Sequence, residues 1–353
     1  MIVLSRTRSS LQFRYLRRIS PPLHKGGTGG VLLCAVAALL TGCGPGGYKI
    51  TPIPVDQTLD ESVIMKDEGF GGEKIVLIDV DGVIMNSRGF SLFGSNEHPV
   101  SLLLEKLDKA ANDKQVRALI LRINSPGGSV TASDLMHSEI KHWKKRTGGD
   151  KPVIAVMMDL AASGGYYIAC ACDEIVAHPT TVTGSIGVIM QMINVEGTMN
   201  KIGLSSDAIK SGNMKDAGSP FRKMKAEERE LFQSLVNQFY DRFVDVVAEG
   251  RPNLDEAKVR ELADGRVYSA DTALELGFVD RIGTLRSTVN QLKEQLGAEK
   301  VRVVTYHRPL GWKPNVYAEQ PTGAPQTNLI NVEMPDRWPA PQPQFMYLWS
   351  PGL

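Results

Sequence analysis

Ser163 stands in the stretch "DLAASGGYYIA" (159–169), wedged between two alanines and two glycines. A β-rich apolar run, "PVIAVMM" (152–158), precedes it, and a helix-compatible run follows. A junction of that kind is where an enzyme would place a nucleophilic hydroxyl. A serine is a weak nucleophile until a base removes its proton. No histidine lies within ten residues on either side, His178 being the nearest. Lysine does the same work in Ser–Lys pairs on unrelated folds. It serves only when neutral, and its reference pKa is about 10.4, which burial in an apolar pocket lowers. Lysines among glycines and small residues are found in "IKSGNMKDAGSP" (209–220), as Lys210 and Lys215. An acyl-binding loop is offered by "RINSPGGSV" (122–130), where a strand ends, a helix begins, and Gly127 and Gly128 leave two backbone N–H groups unobstructed. A helix N-terminus favours an anion, and one oxyanion donor is worth roughly 2.7–4 kcal/mol of a barrier. Ser163 also heads a helix, so the N–H of Gly164 supplies a second donor. Taken singly, "SPGG" and "TGSIGV" (183–188) read equally well as plain turns.

Positioning these groups requires an alternating scaffold. "KIVLIDV" (74–80), "ALILRIN" (118–124), "PVIAVMM" and "EIVAHP" (174–179) read as strands. Between them, "PVSLLLEKLDKAA" (99–111) and "TASDLMHSEIKHW" (131–143) have helical spacing, the second with Leu135, Met136, Ile140 and Trp143 on one face. "GGYYIACA" (164–171) reads as a short helix. Strands alternating with helices imply an α/β fold with a mostly parallel sheet under helical cover. Ser219-Pro220 is expected to cap a long helix whose core face is Phe232, Val236, Phe239, Phe243 and Val247. A short helix (270–276) follows Ser269 as cap and stops at Gly277. Beyond about residue 310 the composition is rich in Pro and Gln, ending in the apolar "MYLW" (346–349), which is expected to pair as a strand on this chain or a neighbour.

Two other groups of residues invite chemistry. "VLIDVDGVI" (76–84) matches the first motif of haloacid-dehalogenase-type phosphatases, with Asp79 as nucleophile and Asp81 as acid/base around Mg²⁺. The later acidic motif that such chemistry needs is missing, and a strand end with a turn at Asp81-Gly82 is the better reading. Cys170 and Cys172 form a C-x-C pattern. On a helix residues two apart point to nearly opposite faces, so they read as small buried apolar side chains rather than a metal clip or disulfide.

The chain has 353 residues, 42% of them apolar and 22% charged, an ordinary globular composition. Residues 1–42 hold six Lys/Arg and no Asp or Glu, leaving 34 basic against 39 acidic side chains in the body. A mildly acidic body gives no support to a nucleic-acid partner. The apolar run "VLLCAVAALL" (31–40) is too short to span a bilayer and fits the h-region of a signal peptide. "LTGC" (40–43) behind it resembles a lipoprotein lipobox, which makes Cys43 the expected lipid attachment site. The expected division is a leader at 1–42, a tether at 43–72, a catalytic domain at 73–290 and a C-terminal extension at 291–353.

Five blocks in order, "RINSPGG", "AASGGYYIA", "TVTGSIGVIM", "IKSGNMKDAGSP" and "DGRVYSADTALELGFVD", give the chain, from about residue 73 to 290, its resemblance to the signal peptide peptidase A family. These are membrane-associated Ser/Lys endopeptidases on the ClpP/crotonase-type ββα superhelix. The resemblance implies Ser163 as nucleophile, Lys215 (not Lys210) as general base, and Ser185 as the residue that orients the lysine. It also implies Gly128, with Gly127 beside it, and Gly164 as the oxyanion hole. It further implies apolar peptide substrates such as spent signal peptides, a membrane surface, a ring of identical subunits that complete one another's sites, and no cofactor, metal or nucleotide. Asp159, four residues before Ser163, is expected to face solvent at a strand end. The lipoprotein leader differs from the family's usual transmembrane anchor. Two other readings share the fold. One is a crotonase-like acyl-CoA enzyme, disfavoured by the Ser163 and Lys215 blocks and by the export signal. The other is a catalytically silent, membrane-tethered scaffold, disfavoured because both reactive residues are present.

Overall fold

The computed structural model describes residues 58–69, 71–86, 98–308 and 345–349. The expected leader, Cys43 and most of the tether lie outside them. Twelve strands and eight helices are described, in chain order: β1 (Asp60–Lys66), β2 (Glu73–Asp81), α1 (Pro99–Asn112), β3 (Val116–Ser125), β4 (Gly127–Ser129), α2 (Val130–Arg146), β5 (Val153–Ala162), α3 (Gly164–Ala169), β6 (Glu174–Ala177), β7 (Val182–Gly184), β8 (Ile189–Met190), α4 (Glu196–Lys201), α5 (Ala226–Gly250), α6 (Glu256–Leu262), β9 (Val267–Ser269), α7 (Ala270–Glu275), β10 (Arg281–Ile282), α8 (Leu285–Gln295), β11 (Val301–His307) and β12 (Phe345–Leu348).

The apolar runs build the expected α/β layers. The main sheet runs β1-β11-β2-β3-β5-β6-β10, with β7 and β9 added beside the end of β5. All its pairings are parallel except β1 with β11 and β7 with β9. Parallel strands covered on both faces need side chains apolar in both directions, and period-two alternation sorts them. Val76, Ile78, Leu119, Leu121, Ala155 and Met157 pack toward one cluster, which includes Met136, Ile140 and Trp143 of α2. Ile75, Leu77, Ala118, Ile120, Ile154 and Val156 face the other way, onto Leu285, Val289 and Leu292 of α8.

The structure departs from the sequence reading at four places. The sheet runs past both boundaries set at 73 and 290: β1 pairs with β11, and β11 lies parallel to β2. Buried Lys74 ties this edge together through Glu61 at 2.9 Å and Asp113 at 2.6 Å. The long helix α5 begins at Ala226 with Lys225 as its cap, rather than at Ser219-Pro220. The cause is the ion-pair chain Asp216–Arg222–Glu228, which holds the intervening residues in turns. Of the face expected on α5, Phe243 and Val247 are buried, whereas Phe232, Val236 and Phe239 are half-buried. Leu135 of α2 is exposed, and His137 fills the core position on that turn instead. The Ser269 cap of α7 and the stop at Gly277, at φ 82°, are as expected.

Candidate active site

The arrangement around Ser163 starts from a change of partner along β5. Residues Ile154–Met157 pair with β6, and Leu160–Ala162 pair with β7. The Thr181 hydroxyl donates to the carbonyls of Met157 (3.2 Å) and Met158 (2.5 Å) at the crossover. Beyond Ala162 the chain turns sharply. Ser163 takes φ 53° and ψ −116° at the head of α3, a conformation costing a non-glycine residue on the order of 1–3 kcal/mol. Its backbone is held on both sides, since its N–H donates to Gly184 O (2.8 Å) and its carbonyl accepts from Tyr167 N (2.9 Å). The serine is 1% exposed.

Across from it, the turn after β3 is pinned from within. Ser125 Oγ donates to Gly82 O (2.6 Å) and accepts from Gly127 N (3.0 Å). Ile84 N donates to Gly127 O, and Ser129 N to Ile84 O, at 2.9 and 2.8 Å. Gly127 sits at φ 97°. A Cβ there would lie 2.5 Å from Gly164 N, and one on Gly164 would lie 3.1 Å from Gly128 N. The backbone around Gly127, Gly128 and Gly164 therefore converges on one point, and no side chain could enter. On Gly128, a Cβ would lie 1.8 Å from Ile84 O.

That point is occupied. The carboxy-terminal strand β12 lies between β4 and β8, antiparallel to both, pairing Leu348 with Gly127, Tyr347 with Gly128 and Met346 with both Ser129 and Ile189. Trp349 N donates to Pro126 O at 2.9 Å. The same Cβ on Gly127 would be 2.0 Å from Tyr347 O, so Tyr347 O and Gly164 N are no further apart than the two distances end to end, 4.5 Å. The Tyr347 carbonyl thus lies within 4.5 Å of the Gly164 amide, on the strand that pairs with Gly127 and Gly128. A cleft of about 410 Å³ opens next to Ser185, bordered by Ile189, Val236 and Tyr240 and by Met346, Leu348 and Trp349 of the strand.

The remaining expected residues divide. Ser185 is buried at φ 51°, its N–H donating to Arg266 O (2.7 Å), one residue past the Gly184 carbonyl that anchors Ser163. Lys215 is exposed on the 210–220 turns, and among the described residues no hydrogen bond or ion pair joins it to Ser163 or Ser185. Lys210 is held by Asp216 at 2.5 Å. Asp216 lies well below the usual carboxylate range because it accepts from both Arg222 and Lys210. Asp159 is exposed, as expected. Asp79 is buried against Arg122 at 2.5 Å, and Gly82, at φ 68°, turns the chain after β2, so the "DVDG" stretch is structural. Cys170 and Cys172 are buried free thiols, and burial pushes Cys170 up to about 12. Three groups around the site escaped the sequence reading: Tyr347, Tyr167 and the Phe239 carbonyl. The aromatic end after a Pro/Gln-rich stretch was the available signal.

A ββα scaffold with a strained serine at a strand-to-helix turn and facing glycine amides defines a class of acyl-transfer site. Residues 145–299 match the family model described as peptidase family S49. The chain is 40% identical over 240 residues to a protein of Enterococcus faecium named signal peptide peptidase SppA, covering 68% of this chain and 69% of that one. It is 35% identical over 239 residues to a protein of Methanocaldococcus jannaschii named as a protease, covering 67% and 75%. The chloroplastic serine protease SPPA of Arabidopsis thaliana is 35% identical over 250 residues, covering 70% of this chain and 36% of that one. The chain belongs to peptidase family S49, the signal peptide peptidase A family of serine-type peptidases.

Proposed function

We propose that the chain is an endopeptidase that hydrolyses extended apolar peptides with a Ser163–Lys215 dyad. The supporting observation is an extended segment, β12, paired with Gly127 and Gly128 with its Tyr347 carbonyl within 4.5 Å of the Gly164 amide, next to Ser163 in the chain. In this reading neutral Lys215 takes the proton from Ser163 Oγ as that oxygen attacks the carbonyl carbon. The tetrahedral oxyanion is held by the N–H groups of Gly128 and Gly164. Lys215 returns the proton to the departing amine, and water then hydrolyses the acyl-serine. Ser185 aids by holding Lys215.

Exposure of Lys215 favours a lysine delivered to a neighbouring subunit's serine. The segment that carries it is unusually apolar on its surface: Ile193, Ile202, Leu204 and Ile209 are all more than half exposed. Such a face suits a contact between copies in a ring. The substrate class, spent signal peptides at a membrane surface, follows the family. A lipid on Cys43 would supply anchorage, and no described helix is long and apolar enough to cross a bilayer.

The experiment is peptide cleavage followed by mass spectrometry with wild type, Ser163→Ala, Lys215→Ala and Lys210→Ala. Wild type and Lys210→Ala should cut, and the other two should not. Mixing the two dead variants should restore part of the activity when the dyad spans subunits. Undiminished cleavage by Lys215→Ala would sink the dyad.

A further inference from the structure

Between α4 and α5 the chain forms neither helix nor strand, yet this is the stretch that carries Lys215. A base has to be held close to its working position, since misplacement by about 1 Å costs on the order of 100-fold. Side chains must therefore supply what regular backbone pairing does not. Arg222 is the main one. Its Nε donates to Asp216 Oδ2 and its Nη2 to the Asp216 carbonyl, both at 2.9 Å, so it grips the residue after Lys215 by side chain and backbone together. Both Nη groups also reach the Glu228 carboxylate, Nη1 at 3.1 Å. Glu228 lies in the first turn of α5, is fully buried, and accepts from Lys225 N at 3.3 Å as well. The bonds from Arg222 hold its carboxyl below the ordinary value, so the anchor stays charged at neutral pH.

The backbone completes the hold. Lys215 N donates to Gly212 O (3.1 Å) and Ser219 N to Asp216 O (3.0 Å). On the other side, Val195 N donates to Pro220 O (2.8 Å) and Asn194 Nδ2 to Arg222 O (2.6 Å). Gly218, at φ 76°, lets the turn lie against α5, where a Cβ would be 3.3 Å from the Phe232 ring. Lys210 bonds the Asp216 carboxylate at 2.5 Å from within the same turns, so it adds no tie to α5.

We infer that Arg222 is the positioning residue for Lys215: it bridges Asp216 to the buried Glu228 and so fixes the lysine-bearing turns to α5. The inference rests on the proposed dyad and adds to it the group that sets where its base stands. Only a guanidinium suits the place. Its planar fork serves the Asp216 carboxylate, the Asp216 carbonyl and the Glu228 carboxylate at once, whereas an ammonium is a point charge on a flexible stem.

The test uses the full chain, an apolar peptide that wild type cleaves, and the variants Arg222→Ala, Arg222→Lys, Lys210→Ala and Lys215→Ala. Arg222→Ala should lose kcat by about 30-fold or more while KM stays within about threefold. Arg222→Lys, which keeps the charge and loses the fork, should lose about tenfold. Lys210→Ala should keep kcat within about threefold of wild type. Hydrogen exchange in a Ser163→Ala background follows the bridge without catalysis. There Arg222→Ala should speed exchange over residues 212–219 by about tenfold or more and leave α3 unchanged. Melting and oligomer size show which variants fold, and Arg222→Lys carries both comparisons should Arg222→Ala fail to. A folded variant with kcat within about threefold of wild type, a change in KM alone, or exchange that does not rise would overturn the inference and leave the dyad standing. Full cleavage by Lys215→Ala would remove the dyad and the positioning role with it.

Discussion

Gly127→Ala offers the sharpest separation of geometry from stability at this site. The new methyl would lie 2.0 Å from Tyr347 O and 2.5 Å from Gly164 N, well inside the roughly 3.5 Å optimum between non-bonded heavy atoms. The bound carbonyl must retreat by about 1 Å or more, and misplacement on that scale costs on the order of 100-fold. Loss of one oxyanion donor is worth roughly 2.7–4 kcal/mol, or 10²–10³ in kcat. Backbone strain adds a separate stability cost, since φ at Gly127 is 97° and alanine there costs on the order of 1–3 kcal/mol. Gly149→Ala isolates the strain. Gly149 lies at φ 78°, with no atom within 4 Å of an added Cβ, beyond the end of α2 and away from Ser163. Both variants should melt below wild type by several degrees. Only Gly127→Ala should lose kcat/KM on an apolar peptide, by at least about 100-fold. A folded Gly127→Ala within threefold of wild type would refute the assignment of the acyl carbonyl to this point.

Two further expectations follow from buried charge and backbone strain. Burial alone would raise the Asp280 carboxyl, but two bonds from Arg251 (2.7 and 2.6 Å) and one from Ile175 N (2.7 Å) hold it below its ordinary value. Its contribution is therefore complete above the unfolded value near 3.9 and is lost as pH falls through the folded one. Urea midpoints should place Asp280→Asn about 2 kcal/mol below wild type at pH 7, between the values for exposed and buried pairs, with the gap narrowing at pH 3. An equal gap at both pH values would contradict the ion-pair account. Replacing Ser163 by glycine relieves a φ of 53° that Ser163→Ala retains, so Ser163→Gly should melt higher than Ser163→Ala, by the equivalent of about 1 kcal/mol. The reverse order would mean the turn is not strained.

The strands nearest the site were legible because both of their faces are buried, which writes an unbroken apolar run into each. The glycine blocks were legible because only glycine fits where a Cβ would strike backbone, as at Gly127 and Gly128. What escaped depends on partners distant in the chain. β1 looks like tether until it pairs Asp60 with His307, and β11 like extension until it pairs Val301 with Glu73. Ser219-Pro220 has the composition of a helix start, but Arg222 bridging Asp216 and Glu228 delays the helix to Ala226. Lys215 was selected by its block, yet nothing in its local sequence tells whether its partner serine lies in the same chain.

Ser163 shows how the fold sustains a conformation the local sequence would not choose. A six-residue helix cannot hold itself together in water, so α3 takes its place from what surrounds it. Every residue of α3 is buried, Tyr166 OH bonds Phe278 O at 2.8 Å, and Tyr167 OH bonds Asp134. Gly250, at the end of α5, comes so near that a Cβ on it would lie 2.5 Å from Cys170 O. With α3 fixed at one end and the Gly184 carbonyl holding Ser163 N at the other, the strained turn between them has no room to relax. The same fixed helix carries Tyr167, which stacks on Tyr347. A change that loosens α3 should therefore degrade the attack geometry proposed for Ser163.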